Sequence, residues 1–557
     1  MTAIAICLLA LLAIGRIRGW PRSRPARLAA GALALAAALA ALPWGIDPER
    51  LGPARLAIAL ATLGVVVARR RGARWLADPR VELRVLAVLA AAAVLVYLNF
   101  FSFHRYGRFV HQHDVAHYYL GSKYFAELGY GRLYDAALQA EAELHGNYFR
   151  SVEARDLQTG EVVGIGRLLK RGAADEEAFS AERWRSFRRD VDLFRDRNGA
   201  QYGLFLLDHG FNPTPVWAAI GGALANRVPA GSASGVLLLT LIDPILLLSC
   251  GILVGRSFGW RAACLATILF GVTFGATFAW TGGAFLRHLW FAATVASLCL
   301  LRRDRPTAAG AALGLAAMLR IFPGLLLWGW IWRAAGARRT DRAEAREAVR
   351  FVLGFAVGAA LLVAATALTS RGWHSWLEFA ANLRVQMASP AANEIGLVPL
   401  LRYLTSSGES SGVAFALRAA ALLAAAIATA RLSSRVPREA AWALGVVLVF
   451  VGPALPAYYW ILLVPVGLAW HRQTAAFALF FALEAALWAL ALWPRGQAAD
   501  FAAENVLMGV ALAGLVVALG RRRPPAGPLR PAAVGAEAKP DLVRSDRGPS
   551  ARIGLRG

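Results

Sequence analysis

Long apolar runs alternate with short polar connections along almost the whole chain. A helix rises 1.5 Å per residue, so about 20 residues cover a hydrocarbon core of ~30 Å. The runs predict thirteen spans, at 2–15, 27–44, 54–69, 84–101, 235–254, 260–279, 285–302, 350–369, 412–430, 439–453, 457–470, 474–493 and 504–520. The rhythm stops between 102 and 234, where 16 basic and 16 acidic residues mark a balanced, water-compatible insertion. Four segments follow: N-terminal spans over 1–101, a loop domain over 102–234, a membrane core over 235–520, and a Pro-, Gly- and charge-rich tail over 521–557 that reads as disordered.

Within the loop domain, "ARDLQTGEVVGIG" predicts a small hairpin turning at Thr159–Gly160. After it, Trp184, Phe187, Val191 and Phe194 recur at helical spacing and predict an amphipathic helix opening near Ser180. This helix either packs on the headgroups or covers a site, and packing is the preferred reading. The stretch "FNPTPVWAAIGGALAN" (211–226) predicts an interfacial helix beginning after its two prolines.

Composition agrees with a polytopic membrane protein: 58% of residues are hydrophobic and 18 are Trp. The net charge of +25 comes from arginines clustered between apolar runs, which is how membrane topology is written rather than a phosphate-binding face, so nucleic acid is not an expected partner. The four cysteines, Cys7, Cys250, Cys264 and Cys299, all lie in apolar runs with no metal spacing or disulfide framework. The first run lacks a basic flank and a small-residue cleavage site and reads as a retained span.

Arginines crowd the connections at 16–27, 69–84, 302–305, 333–350, 431–438 and 521–523. The positive-inside rule assigns all of them to the cytoplasm and sends the loop domain outside. Drawing 307–333 as one span would strand the 333–350 arginines outside. The conflict goes if the segment is a hairpin that rises through "AAGAALGLAAML", turns at "RIFP" and returns. Pro323 supports the break, because proline interrupts the helical ladder and disfavours helix at the residue before it. Thirteen helical residues rise about 20 Å, which leaves Arg320 roughly 10 Å below the outer surface of a ~30 Å core.

In this topology the chemically pointed residues share the outer face. Four of nine histidines (104, 111, 113, 117) fall within "HRYGRFVHQHDVAH". A helix over 113–128 puts Asp114, His117, Tyr118, Gly121 and Phe125 on one side and Lys123 on the other. Also outer are Asp208, His209 and Asn212, Arg287 and His288, Asn393, and Tyr458–Tyr459. Group transfer from a lipid phosphate needs a carboxylate to orient and deprotonate an acceptor hydroxyl, the role assigned to Asp114. It also needs fixed positive charge on the leaving phosphate, assigned to Arg320, Arg287 and His288. His113, His117, Tyr118, His209, Asn212, Asn393, Tyr458 and Tyr459 are the candidate substrate contacts, aromatic rings suiting sugar faces.

Plainer readings stand beside these. Asp114 is also placed to cap a helix, Arg320 to pair with Asp243 at similar depth, and Tyr458–Tyr459 to belong to an interfacial belt. Glu484, mid-span, reads as structural. His113 and His117 are spaced to hold zinc beside Asp114, but no further ligand signature accompanies them. No metal or other cofactor is expected, although a divalent ion is not excluded.

The stretches "HDVAHYYLGSKYFAELGYGRLYD" and "GLAAMLRIFPGLLL", with "FAANLRVQMASPAANEIGL" and "ALPAYYW", resemble the GT-C superfamily of integral-membrane glycosyltransferases. Bacterial transferases that use polyprenol-phosphate mannose share these features. The first matches an acidic motif of the first outer loop with its Gly-x-x-Leu-Tyr stretch, the second a broken-helix basic-x-x-Pro element in which the family often has Lys at the place of Arg320. The resemblance implies an all-α GT-C-like bundle, Asp114 as acceptor base, Arg320 on the donor phosphate, and inversion at the anomeric carbon. Its matching stretches cover about a fifth of the chain. Three or four spans precede the acidic loop where the family core has one, and the insertion over 140–205 has no counterpart.

The expectation is therefore an enzyme of the cytoplasmic membrane with an outward-facing site. It would move a hexose from a polyprenyl phosphate to a glycolipid, glycan or protein acceptor, with membrane lipids around it. A transporter or lipid flippase would require repeats that the chain lacks. A polysaccharide polymerase or ligase would favour a large late outer loop, whereas here the large loop comes early.

Overall fold

A computed structural model describes residues 48–104, 108–231, 233–337, 341–369, 371–405, 412–470, 475–493 and 496–520. The expected spans at 2–15 and 27–44 and the tail from 521 lie outside the described residues. Over the rest the chain is a helical assembly, with two-stranded ribbons as its only sheets among the described residues.

Five helices are long and apolar enough to cross a membrane: Gly52–Arg70, Ser234–Phe258, Arg342–Thr366, Gly412–Ser433 and Ala498–Leu519. Their starts follow the local chemistry. Asp341 accepts the N–H groups of Ala343 and Glu344, at 2.7 and 3.3 Å, and so caps Arg342–Thr366. Outward faces carry bare hydrophobes such as Leu361, Phe415 and Leu423, each more than 60% exposed, a surface suited to lipid rather than water. Six further apolar helices are shorter, at 10–17 residues, so the thirteen runs do not become thirteen long helices.

The clearest departure is between 260 and 302. Helix Trp260–Val272 stops early, Leu289–Arg302 starts late, and an irregular loop replaces the expected helix ends. Gly283 explains it. Its φ is +61°, and a Cβ there would collide with the carbonyl of Phe109. The loop is thereby pressed against the acidic segment and paired to it by the His111 N–H bond to the Gly283 carbonyl at 2.9 Å.

The broken hairpin forms as expected. Helix Pro306–Leu319 ends at Arg320, whose backbone is extended, and a short 3-10 turn over Phe322–Leu327 leads into helix Trp328–Ala337. Two contacts show that the chain returns. The backbone of Phe351 lies against Gly310 in the first arm, while its ring stacks on Trp330 in the second at 4.5 Å.

The arginine-rich connections also meet. Arg438 pairs with Asp304 at 2.6 Å and Glu347 at 2.7 Å, Arg333 with Glu344 at 2.7 Å, and Arg302 with Glu439 at 3.2 Å. Arg302 also sits over the Phe258 ring, two residues from the start of the Trp260–Val272 helix, where Arg261 pairs with Glu82 at 2.6 Å. Connections 69–84, 302–305, 333–350 and 431–438 thus share one end of the bundle.

The loop domain forms a helical cap. Strands Glu153–Arg155 and Val162–Gly164 pair antiparallel about the turn at Gly160. Helix Ala181–Asn198 is capped by Ser180 and buries Trp184, Phe187, Val191 and Phe194 against the cap interior. Lys123, on the back of the Gln112–Lys123 helix, ties the two helices together through Asp190 at 2.6 Å. The 211–226 segment differs from expectation in its setting. Its helix, Pro215–Ala225, does begin after the prolines, but it is wedged against Gln112–Lys123, with Gly222 against the Ser122 carbonyl and Trp217 fully buried. Two glycines and a row of alanines allow that close approach, so the segment is interior rather than spread on a surface.

Candidate functional site

A cavity of about 1030 Å³ opens where the cap meets the bundle. Its wall is built from the ends of helices opposite the arginine network: Arg287 precedes the Leu289–Arg302 helix whose other end carries Arg302, and Arg320 ends the hairpin arm that starts at Pro306. Eleven of the twelve residues singled out from sequence line it: Asp114, Arg287, Arg320, His113, His117, Tyr118, His209, Asn212, Asn393, Tyr458 and Tyr459.

The polar centre rests on the Gln112–Lys123 helix. His111 caps it by accepting the Asp114 N–H, and the Asp114 side chain then turns to the cavity. One carboxylate oxygen of Asp114 is bound by the Arg287 guanidinium, and the other accepts the Phe285 N–H at a long 3.4 Å. One turn on, Tyr118 accepts from Arg320 at 3.1 Å and donates toward Asn212 at 3.5 Å. Burial raises the Tyr118 pKa and keeps the phenol protonated as that donor.

Both arginines are wrapped in aromatic rings. Arg287 lies 4.7 Å from the Tyr458 ring centre, and Arg320 lies 5.7 Å from those of Tyr118 and Tyr459. The Tyr458–Tyr459 pair is brought in by a short ribbon in which Glu394 pairs with Pro456 and Ile395 with Leu455. The Ala457 N–H bonds the Asn393 carbonyl at 2.8 Å, which sets Asn393 beside the tyrosines.

Of the two cations, Arg287 is paired with a carboxylate and Arg320 is not. Arg320 is 9% exposed and has no ion pair among the described residues; its Nε and the Nη1 of Arg287 are buried without hydrogen-bond partners. Buried donors of this kind cost free energy unless something completes them. The arrangement has the charge and the open donors that an anion could complete.

Two expectations need correction. Arg320 does not pair with Asp243: that carboxylate instead accepts the backbone N–H groups of Arg287 and His288, at 3.0 and 3.2 Å, and approaches His288 Nδ1 at 3.0 Å. The span arithmetic gave the two residues a similar expected depth, but a nearer set of N–H donors claims the acid. His288 is the twelfth candidate and does not line the cavity. Its ring is 1% exposed, turned toward Asp243 and packed on Phe270 at 5.7 Å, so it lies behind the wall as a support.

Sequence reasoning gave no site role to Asp243, which holds the Arg287 loop, or to Asp208, whose carboxylate meets His113 Nε2 at 2.9 Å. An acid inside "LLLTLIDPILLL" was the visible signal for the first. It also did not find the Gln386 side of the wall, where Gln386 donates to the His209 carbonyl at 2.9 Å, or Arg402 and Arg418 farther along it. Glu484 is structural as read, accepting the Phe274 N–H at 2.8 Å. No family model, curated protein or solved structure matches the chain.

Proposed function

We propose that the chain is a GT-C-like membrane glycosyltransferase of about thirteen spans, including those outside the described residues. It would lie in the cytoplasmic membrane with its cap and cavity facing outward, and would move a hexose from a polyprenyl phosphate to a glycolipid, glycan or protein acceptor. The carrying observation is Arg320: a buried cation with no carboxylate partner among the described residues, at a proline-broken hairpin tip, in the same cavity as the Asp114–Arg287 pair.

In this reading the donor phosphate occupies the seat between Arg320 and Arg287 and completes their open N–H groups. The acceptor hydroxyl attacks the anomeric carbon as the bond from that carbon to the phosphate oxygen breaks. The phosphate leaves with the electron pair, and the hydroxyl proton passes to the loosely held oxygen of Asp114. One displacement inverts the anomeric centre. Tyr118, Tyr458 and Tyr459 offer ring faces to the sugar, and the apolar wall at Met318, Ile321, Phe322 and Phe355 faces the isoprenoid.

Profiling lipid-linked sugars in cells that carry the wild-type chain or Asp114→Asn tests the reading. A polyprenyl-phosphate sugar should accumulate in the variant while one glycosylated product disappears. Unchanged profiles would reject the assignment.

A further inference from the structure

We infer that His113, His117 and Asp208 form a binding site for a divalent transition-metal ion, best matched by zinc, on the wall of the cavity. One donor atom from each residue lies within 4.8 Å of the other two. The first two ligands come from successive turns of one helix. The third arrives from the loop after Leu207, 95 residues beyond His113.

The ring chemistry of His117 favours a ligand. Its Nδ1 lies 2.9 Å from the His113 carbonyl oxygen, and its Nε2 lies 3.2 Å from the Phe205 carbonyl; with the proton on Nδ1, the nearer contact, Nε2 keeps its lone pair for an ion. A metal-bound histidine almost always donates its second N–H to a carbonyl or carboxylate in this way, which fixes the ring and its tautomer. Tyr134 meets Nε2 at 2.7 Å, but its hydroxyl also reaches the Asp208 carbonyl at 3.2 Å and keeps that partner when an ion takes the lone pair.

The other two ligands supply charge and access. His113 and Asp208 already face each other at 2.9 Å, with side chains 28% and 46% exposed. Their freedom allows the contraction a bound ion requires, since zinc–ligand bonds of about 2.0–2.2 Å bring donor atoms closer together than they stand here. Two imidazoles and one carboxylate make a three-ligand set with open positions. All three residues line the cavity, so an open position takes a water or a substrate oxygen. Metal binding at these residues is independent of whether the cavity transfers sugars.

The test uses the full-length protein in detergent, purified without a histidine tag and stripped by chelator. Zn²⁺ is titrated by calorimetry and Co²⁺ by visible absorption. About one equivalent should bind, with Co²⁺ ligand-field bands of a low-coordinate site. His113→Gln, His117→Gln and Asp208→Asn should each weaken binding at least tenfold, and His145→Gln, at a separate His145–Asp192 pair, should not. Asp208→Asn decides the matter because its half-exposed side chain can change without unfolding the cap, which a thermal melt of the metal-free variant verifies. Absence of stoichiometric binding, or wild-type affinity in a folded Asp208→Asn variant, overturns the inference.

Discussion

The carboxylate of Asp243 accepts the backbone N–H of Arg287 at 3.0 Å, so an acid inside the Ser234–Phe258 helix sets the cation of a different loop. The same carboxylate serves His288 twice, through its backbone N–H and its ring. Asp243→Ala would leave these donors buried, at about 1–3 kcal/mol for each. We expect a clear fall in thermal stability in detergent and a loss of turnover larger than any loss of donor binding. Asp243→Asn keeps one accepting oxygen and should recover part of both. Full activity in the alanine variant would remove Asp243 from the positioning of Arg287.

Asp114 is the acid nearest the open cations, and its second oxygen is held only by the long bond from Phe285. Asp114→Asn preserves shape but cannot take a proton. A positioned base contributes roughly 10²–10⁴-fold, so turnover with a polyprenyl-phosphate hexose in membrane vesicles should fall by that order. Donor retention on the vesicle-bound protein should fall much less. A variant that still turns over at a comparable rate would move the base elsewhere.

Arg320 should act on the phosphate rather than on the proton. Arg320→Met removes the unpaired cation together with its bond to Tyr118, and a fixed electrostatic contact of this kind is worth about 3–4 kcal/mol in the transition state. A loss of about 10²–10³-fold is expected, with Arg320→Lys intermediate because it keeps charge but not the planar fork. Equal rates for Met and Lys would show that charge at this position is irrelevant.

The meeting of Asp114 and Arg320 was legible in the chain because two independent rules converge on it. Arginine placement decides which connections share a side, and Pro323 dictates where the hairpin turns. What could not be read were contacts chosen among several equally plausible partners. Asp243 and Arg320 have a similar expected depth, but depth is one coordinate of three, and the backbone of Arg287 lies closer. Residues 273–279 and 285–288 read as helix ends because they are mostly hydrophobic; the close packing of Gly283 on the Phe109 carbonyl, a tertiary fact, has no local signal. Asp208 joins the two histidines across 95 residues, and no local spacing announces that.

Sidedness can be checked with single cysteines in a cysteine-free background. Val152 is 81% exposed on the cap, and Arg346 is exposed at the end where the arginine connections gather. Val152→Cys should react with a membrane-impermeant maleimide on intact spheroplasts, and Arg346→Cys only after permeabilisation. Both reacting from the same side would break the topology and, with it, the outward site.

The position of Arg320 depends in turn on how closely the hairpin approaches its neighbour. Gly310 and Gly314 in the first arm pack on the backbone of Phe351 and Phe355 in helix Arg342–Thr366, whose Gly354 and Gly358 pack in turn on Thr307 and Ala311, and a Cβ on Gly310 would run into the Phe351 carbonyl. In lipid such contact is stabilised by packing rather than by exclusion of water, so small residues are what allow the two backbones to meet. Gly310→Leu must push the arm outward and carry Arg320 at its tip away from Tyr118. Stability and turnover should therefore fall together, even though residue 310 does not line the cavity. Gly64, where a Cβ would meet nothing within 4 Å, provides the control: Gly64→Leu adds the same bulk to another apolar helix and should leave both quantities near wild type. If the two substitutions behave alike, the close glycine contact does not hold the hairpin.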